Sequence, residues 1–304
     1  MSGPETVVAV SGLRPGQTIE GVYACTRKDR LMTRTGSPYL ALELRDRTGA
    51  VPARAFQNAD ALAGRFERGD IVRVRGRVER FRDELVMELS DIARAADADE
   101  ADPARFLPVA YRDVDELDGF LEHLAGEVYD RGYQSLLRAL LDDGALRAAW
   151  RRAPCSRAGR AGHHAYLGGL LEHTVGVATL AHETCQLHPG LNSDLLLTAA
   201  LTHDLGRTRE FTYGAEIGLT DEGRLLGHLV IGERLLTERG RGLLSEDRLL
   251  GLLHCVLCHH GPASAPGGRF ASAEALALYR LNAVDAGVKG ALEHGLSLDP
   301  PIPG

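Results

Sequence analysis

Ala199-Ala200-Leu201-Thr202-His203-Asp204-Leu205-Gly206 is the stretch on which the reading of this chain turns. Its first half is apolar and made largely of good helix formers, and Gly206 offers a stop. Neighbouring residues on a helix point about 100° apart, so His203 and Asp204 can both reach one cation lying in a groove between helices. An isolated His-Asp pair is a weak signal, because a single buried histidine is more often a hydrogen-bonded core residue than a ligand. Recurrence of such residues on successive helices is what gives the pair weight.

Such recurrence is present. Around the pair, apolar residues return at three- and four-residue spacing over 117–128, 133–150, 167–182, 194–205, 225–238, 246–259 and 273–287, which predicts a helical region. Seven of the twelve histidines fall in or beside these segments: His163, His164, His173, His203, His228, His259 and His260. Imidazoles with a carboxylate suit first-row transition metals, and a carboxylate can bridge two of them.

The front of the chain has a different period. Residues 18–25, 39–44, 51–56, 71–78 and 85–89 read as short strands with alternating faces, with one helical interruption over 59–66, and predict a small barrel. An Ala/Asp/Glu-rich stretch with a proline follows and reads as a solvated linker. The expected organisation is therefore a barrel domain over 1–95, a linker over 96–105, a helical domain over 106–295 and a flexible tail over 296–304. Between residues 17 and 95 there are 15 Lys and Arg against 12 Asp and Glu, a local +3 in a chain of net charge −7. A mildly basic front and an acidic back fit one part that holds an anion and another that holds metal cations.

The bulk numbers narrow the class. A chain of 304 residues, 44% hydrophobic and 25% charged, has the make-up of a globular protein with a real core. Its apolar runs are too short to span a bilayer, and no signal-peptide pattern opens it, so no membrane association and a cytoplasmic location are the default expectations. Five irregularly spaced cysteines do not read as a disulfide framework. Cys255 and Cys258 form a lone CxxC in an apolar helical stretch, which favours core packing over zinc or redox chemistry.

Four runs carry a more specific signal. They are His163-His164-Ala165-Tyr166-Leu167-Gly168-Gly169-Leu170-Leu171-Glu172-His173, the run from Ala200 to Glu210, the run from Thr220 to His228, and the run from His254 to Gly261. In order and spacing they resemble the HD-domain phosphohydrolases, and more narrowly the YhaM-type 3′→5′ exoribonucleases, which join an OB-fold to an HD domain. The resemblance implies a small all-β OB-fold barrel followed by an all-α HD-type domain. It implies His173, His203 and Asp204 as core metal ligands, with His228, His259 and His260 at a second ion. It also implies one or two divalent ions, Mn²⁺ or a similar ion such as Mg²⁺, Fe²⁺ or Co²⁺, that polarise a phosphodiester and activate water. The implied product is a nucleoside 5′-monophosphate.

Two positions depart from the family pattern. Where a metal-binding Asp is expected on the last helix, this chain has Asn282; Asp285 lies three residues on, near the same face, as a substitute ligand or as a supporting residue behind one. Where the family often has a lysine after the HD pair, this chain has Arg207, which holds phosphate bidentately but is a poor proton donor. With Asp204 and Arg207, His164 is a candidate for the catalytic group, and His163 for contact with substrate phosphate; a structural hydrogen bond is the alternative for both histidines.

In the barrel, Arg73, Arg75 and Arg77 share one strand face, and Tyr39 and Phe56 (with Arg54 and Phe81) are candidates to join them as a single-strand grip. The plain alternative is the wetted face of a half-buried strand. The leading expectation is a metal-dependent 3′→5′ exonuclease acting on single-stranded RNA or DNA. Its rivals are a phosphohydrolase of small nucleotides and a non-catalytic strand-binding protein with a degraded metal site. The sequence leaves the oligomeric state open, a homo-oligomer included.

Overall fold

The computed structural model describes residues 8–95, 102–157 and 162–295. Most of the expected linker (96–101) and the expected tail (296–304) lie outside the described residues. The chain divides into two compact units, Met1–Pro108 with Tyr213–Ile217, and Val109–Thr212 with Gly218–Gly304. The first thus runs a little past the expected barrel domain. Phe106 is buried with Val22, Ala24 and Ala215.

The first unit is a closed five-stranded barrel of order β1-β2-β3-β5-β4. Its strands are β1 (Thr18–Met32), β2 (Pro38–Asp46), β3 (Gly49–Ala55), β4 (Ile71–Phe81) and β5 (Glu84–Arg94). Closure depends on β1, which pairs antiparallel with β4 through its first half and with β2 through its second. A register shift between Cys25 and Arg27 bends the strand from one partner to the other. Alternate residues fill the interior, with Tyr23, Leu40, Leu44, Val72, Met87 and Ile92 almost fully buried. Burial of each such side chain contributes about 1.5–3 kcal/mol. Helix α1 (Ala59–Ala63) is held by Lys28, whose Nζ donates to the main-chain oxygens of Ala63 and Phe66.

The second unit is helical: α2 (Val114–Gly126), α3 (Arg131–Leu141), α4 (Gly144–Arg152), α5 (Gly169–Leu187), α6 (Ser193–Thr202), α7 (Arg207–Glu210), α8 (Asp221–Gly240), α9 (Glu246–Cys258) and α10 (Ala273–His294). Asp113, Asp130 and Asp143 cap the starts of α2, α3 and α4 by accepting main-chain N–H bonds. The Asp143 cap breaks what the apolar spacing predicts as one helix over 133–150. A further departure from an all-helical expectation is the short hairpin of β6 (Phe211–Tyr213) and β7 (Ile217–Leu219). Thr220 caps α8 by accepting from Gly223 N.

The core of this unit joins α2 to α6 with α8, α9 and α10, around Leu136, Trp150, Leu170, Val177, Leu196, Leu236 and Leu252. Among the described residues no helix is long and apolar enough to cross a membrane. All five cysteines are buried and free.

Candidate metal centre and strand-binding face

Helix α6 ends at Thr202, three residues earlier than the periodicity suggests, so His203 and Asp204 lie in the tight turn before α7. His203 keeps helical backbone angles. The turn is bound to α8: a Cβ on Gly206 would overlap the main-chain oxygen of His228. Gly227, at φ 69°, kinks α8 just before His228. That conformation is cheap only for glycine, and it lets His228 N donate to Glu210 Oε1 at 3.2 Å.

Four imidazoles converge here, and in each Nδ1 is already engaged. His203 Nδ1 donates to Ala200 O at 2.8 Å, and His259 Nδ1 donates to Val256 O at 2.6 Å. His173 Nδ1 donates to Asp285 Oδ2 at 2.6 Å. His228 Nδ1 lies 3.3 Å from Glu210 Oε1. A proton fixed on Nδ1 leaves Nε2 with an outward lone pair, the arrangement of metal-ligating histidines.

The Nε2 atoms face inward. His173 Nε2 is 3.1 Å from His203 Nε2, and both are 3.7 Å from Asp204 Oδ2. His228 Nε2 and His259 Nε2 are each 3.4 Å from Asp204 Oδ1. His260 Nε2 is 2.9 Å from His228 Nε2. Asp204 Oδ1 and His259 Nε2 are buried without a hydrogen-bond partner. Lone pairs pressed together around an unpartnered carboxylate oxygen repel unless a cation lies among them. The donor set therefore fits a divalent ion, held by Asp204 with His173 and His203 on one side and His228, His259 and His260 on the other.

The electrostatics agree. Burial works against the charge on Asp204, yet Arg207, whose Nε lies 2.6 Å from Oδ2, and the facing histidines hold its carboxyl well below the usual range. Burial drives His203 well below its usual range, so it stays neutral. Arg207 is itself buried; burial opposes its charge, but Asp204 and Glu210 keep it protonated.

The remaining candidates stand behind these groups or beside them. Asp285 Oδ2 bonds His173 Nδ1 and, at 3.0 Å, His164 Nε2; it backs the histidines and is not brought to Asp204. Burial opposes its charge too, but those two bonds lower its pKa. Asn282 Nδ2 donates to His259 O at 3.4 Å, supporting the main chain that carries His259. His164 is buried and adopts φ 50°. A left-handed conformation costs about 1–3 kcal/mol for a side chain of this kind. It is held by its bonds to Asp285 and to the Tyr166 hydroxyl at 2.8 Å, and by Cys155 N donating to its main-chain oxygen. Burial and the neighbouring His173 and His164 lower the pKa of His163 to about 3, and His163 Nδ1 has no hydrogen-bond partner.

Cys155, Glu210, Tyr166 and Glu172 are parts of this site that pattern reading does not single out. Glu210 and Glu172 fall inside the matched runs, whereas Cys155 lies outside them with no spacing to mark it.

On the barrel, the outer ends of β2 and β3 bring Tyr39 and Phe56 into a stack with ring centroids 5.2 Å apart. Arg54 lies over the exposed Phe81 ring at 4.6 Å. Arg54, Glu88 and Arg77 are successive cross-strand neighbours. Arg73, Arg75 and Arg77 share the outer face of β4, but Arg75 is paired with Glu20 at 2.7 Å and Arg77 with Glu79 at 3.1 Å. Arg75 and Arg77 thus already share their charge with carboxylates, whereas the rings at the other end lie partly exposed.

The HD domain family model matches residues 170–287, which spans the His/Asp cluster from His173 to His260 together with the supporting Asp285 and leaves His163 and His164 outside. The model described as an OB-fold nucleic acid binding domain matches residues 18–93. Among curated proteins, the 3′-5′ exoribonuclease YhaM of Shouchella clausii (strain KSM-K16) is 27% identical over 253 residues, covering 82% of this chain and 76% of that protein. The YhaM of Bacillus subtilis (strain 168) is 26% identical over 249 residues, covering 82% and 78%. That of Geobacillus sp. (strain WCH70) is 29% identical over 231 residues, covering 75% and 69%. The chain thus carries an OB-fold match followed by an HD-domain match, and over about four-fifths of its length it is similar to the 3′-5′ exoribonucleases named YhaM.

Proposed function

We propose that this protein is a metal-dependent 3′→5′ exonuclease that hydrolyses single-stranded RNA to nucleoside 5′-monophosphates, with single-stranded DNA as the alternative polymer. The observation that carries the metal dependence is the inward set of Nε2 atoms around Asp204, those of His173, His203, His228 and His259 having Nδ1 engaged on the far side. The names of the relatives support the polymer and the polarity.

His173, His203, Asp204, His228, His259 and His260 would hold the divalent ion or ions, Mn²⁺ being the expected species. Such an ion supplies a Lewis acid for phosphoryl oxygen and lowers the pKa of water. The protein's own groups do the rest. Asp285 and Glu210 fix the tautomer and aim of His173 and His228. Arg207, buried and cationic beside Asp204, balances that carboxylate and adds positive charge where a phosphodiester would sit. His163, neutral at ordinary pH and beside His173, would contact the substrate. In the barrel, the Tyr39–Phe56 stack and the Arg54–Phe81 pair provide π-faces for bases, and the arginines of β4 track phosphates.

Asn282 favours one competing reading, a strand-binding protein without catalysis. Incubation of the full chain with Mn²⁺ and 5′-labelled single-stranded RNA, in parallel with free nucleotides, separates the possibilities. Stepwise shortening of the RNA with release of mononucleotides supports the proposal. Turnover of free nucleotides alone selects a small-nucleotide phosphohydrolase. No bound divalent ion and no turnover at any metal concentration selects the non-catalytic reading.

A further inference from the structure

Cys155 has no part in the reaction just described, yet it is fully buried against the metal cluster. It follows α4 in the turn Pro154-Cys155-Ser156, and its Sγ donates to Asp204 Oδ2 at 3.5 Å. One ligand atom from each of Cys155, His163 and His173 lies within 4.8 Å of the others. The turn is tied to the segment that carries His163. Cys155 N donates to His164 O at 3.0 Å, Ser156 Oγ donates to His163 O at 2.8 Å, and His163 N donates to Ser156 Oγ at 3.0 Å. The sulfur and the His163 segment are thereby held close before any ion arrives, while His173 is fixed separately by its bond to Asp285. His163 Nδ1 is buried and without a partner.

This trio differs in kind from the cluster beside it. A sulfur with two imidazoles is a soft donor set, suited to zinc or cadmium, whereas a carboxylate among imidazoles suits manganese, iron or cobalt. The two sets meet at His173, which also belongs with His203 and Asp204. With Nδ1 committed to Asp285, one Nε2 lone pair cannot fully serve two ions.

We propose that Cys155, His163 and His173 form a binding site for a thiophilic divalent cation of the zinc and cadmium class, and that its occupation inhibits the enzyme by drawing His173 away from the ion at Asp204. On binding, the Cys155 S–H bond breaks, a sulfur–metal bond forms and the proton passes to solvent; no oxidant or reductant is needed. The inhibitory part rests on the reading that the Asp204 cluster holds the working ion.

The test is titration of the full chain with Cd²⁺ alone, following ultraviolet thiolate-to-cadmium charge-transfer absorption. The expected band saturates at one thiolate per chain, vanishes in Cys155→Ser and survives in Cys258→Ser, whose sulfur lies 3.6 Å from His254 Nδ1 and is the rival thiol. In the RNA assay with Mn²⁺, Zn²⁺ should inhibit the unmodified chain at least about tenfold more strongly than Cys155→Ser, as the loss of a metal-supporting group predicts. Should Cys155→Ser fail to fold, His163→Ala gives the second reading, with cadmium affinity expected to fall by at least about tenfold. A band that persists in Cys155→Ser, or no band from a protein that binds Mn²⁺ normally, overturns the proposal. A band lost in Cys155→Ser from a protein that takes up no Mn²⁺ overturns the reading of the Asp204 cluster instead, and leaves the cysteine site standing.

Discussion

His173 Nε2 and His203 Nε2 stand 3.1 Å apart with both Nδ1 atoms already donating elsewhere, so two lone pairs meet in a fully buried space. That contact is unfavourable in a protein alone and favourable around a cation. Binding of the ion should therefore stabilise the fold. At a free Mn²⁺ concentration one hundred times the dissociation constant, linkage gives about 2.7 kcal/mol. Thermal unfolding with Mn²⁺ and with a chelator should show a clear rise in Tm with the metal; coincident curves would contradict it.

Asp285→Asn removes the charge behind His173 and His164 without removing the side chain. Its two bonds are to ring nitrogens, so the neutral amide can point the wrong atom at them. Mn²⁺ affinity should fall by about 10- to 100-fold, the usual consequence of losing such a supporting carboxylate. Calorimetric titration measures this. An unchanged affinity would remove Asp285 from the metal site's support.

Gly206→Ala is expected to be destabilising and to weaken the metal site together. The added Cβ would collide with the main-chain oxygen of His228, which is backbone and cannot rotate away. Forcing the turn and α8 apart should cost about 1–3 kcal/mol, as overpacking does elsewhere. Chemical denaturation measures the loss. Wild-type stability would mean that the turn and α8 are not in contact.

The aromatic end of the barrel should matter more than its arginines. Tyr39→Ala with Phe56→Ala removes a stacked pair, and each lost base–aromatic contact costs about 1–3 kcal/mol of strand affinity. Arg75→Gln with Arg77→Gln should flatten the salt dependence of binding by less than two full phosphate contacts, because Glu20 and Glu79 already share those charges. Fluorescence anisotropy with single-stranded RNA across a salt series measures both. A larger loss from the arginine pair than from the aromatic pair would reverse the assignment.

The sequence was most readable where residue type and spacing carry the physics. His203-Asp204 at the end of an apolar helix, and histidines on its neighbours, can be found by period alone. So can the barrel strands, since their alternation reflects one face in the core and one in water. Other features depend on contacts between distant residues. The break between α3 and α4 comes from Asp143 accepting two N–H groups, while the apolar spacing runs on through it. Strands β6 and β7 are three residues each, too short to show a period. Whether Asp285 touches an ion or a histidine depends on a distance, and the role of Cys155 on a turn that folds back to Asp204. The carboxylate partners of Arg75 and Arg77 reflect strand placement and side-chain geometry, which alternation cannot reveal.

Asp204 is where these relationships converge: one oxygen faces Arg207, the other faces His228 and His259. The most direct measurement compares the unmodified chain with Asp204→Ala for Mn²⁺ binding, strand binding and release of nucleoside 5′-monophosphates from single-stranded RNA. Asp204→Ala is expected to lose Mn²⁺ binding and hydrolysis while strand affinity stays near that of the unmodified chain. Hydrolysis at the normal rate by Asp204→Ala would contradict this.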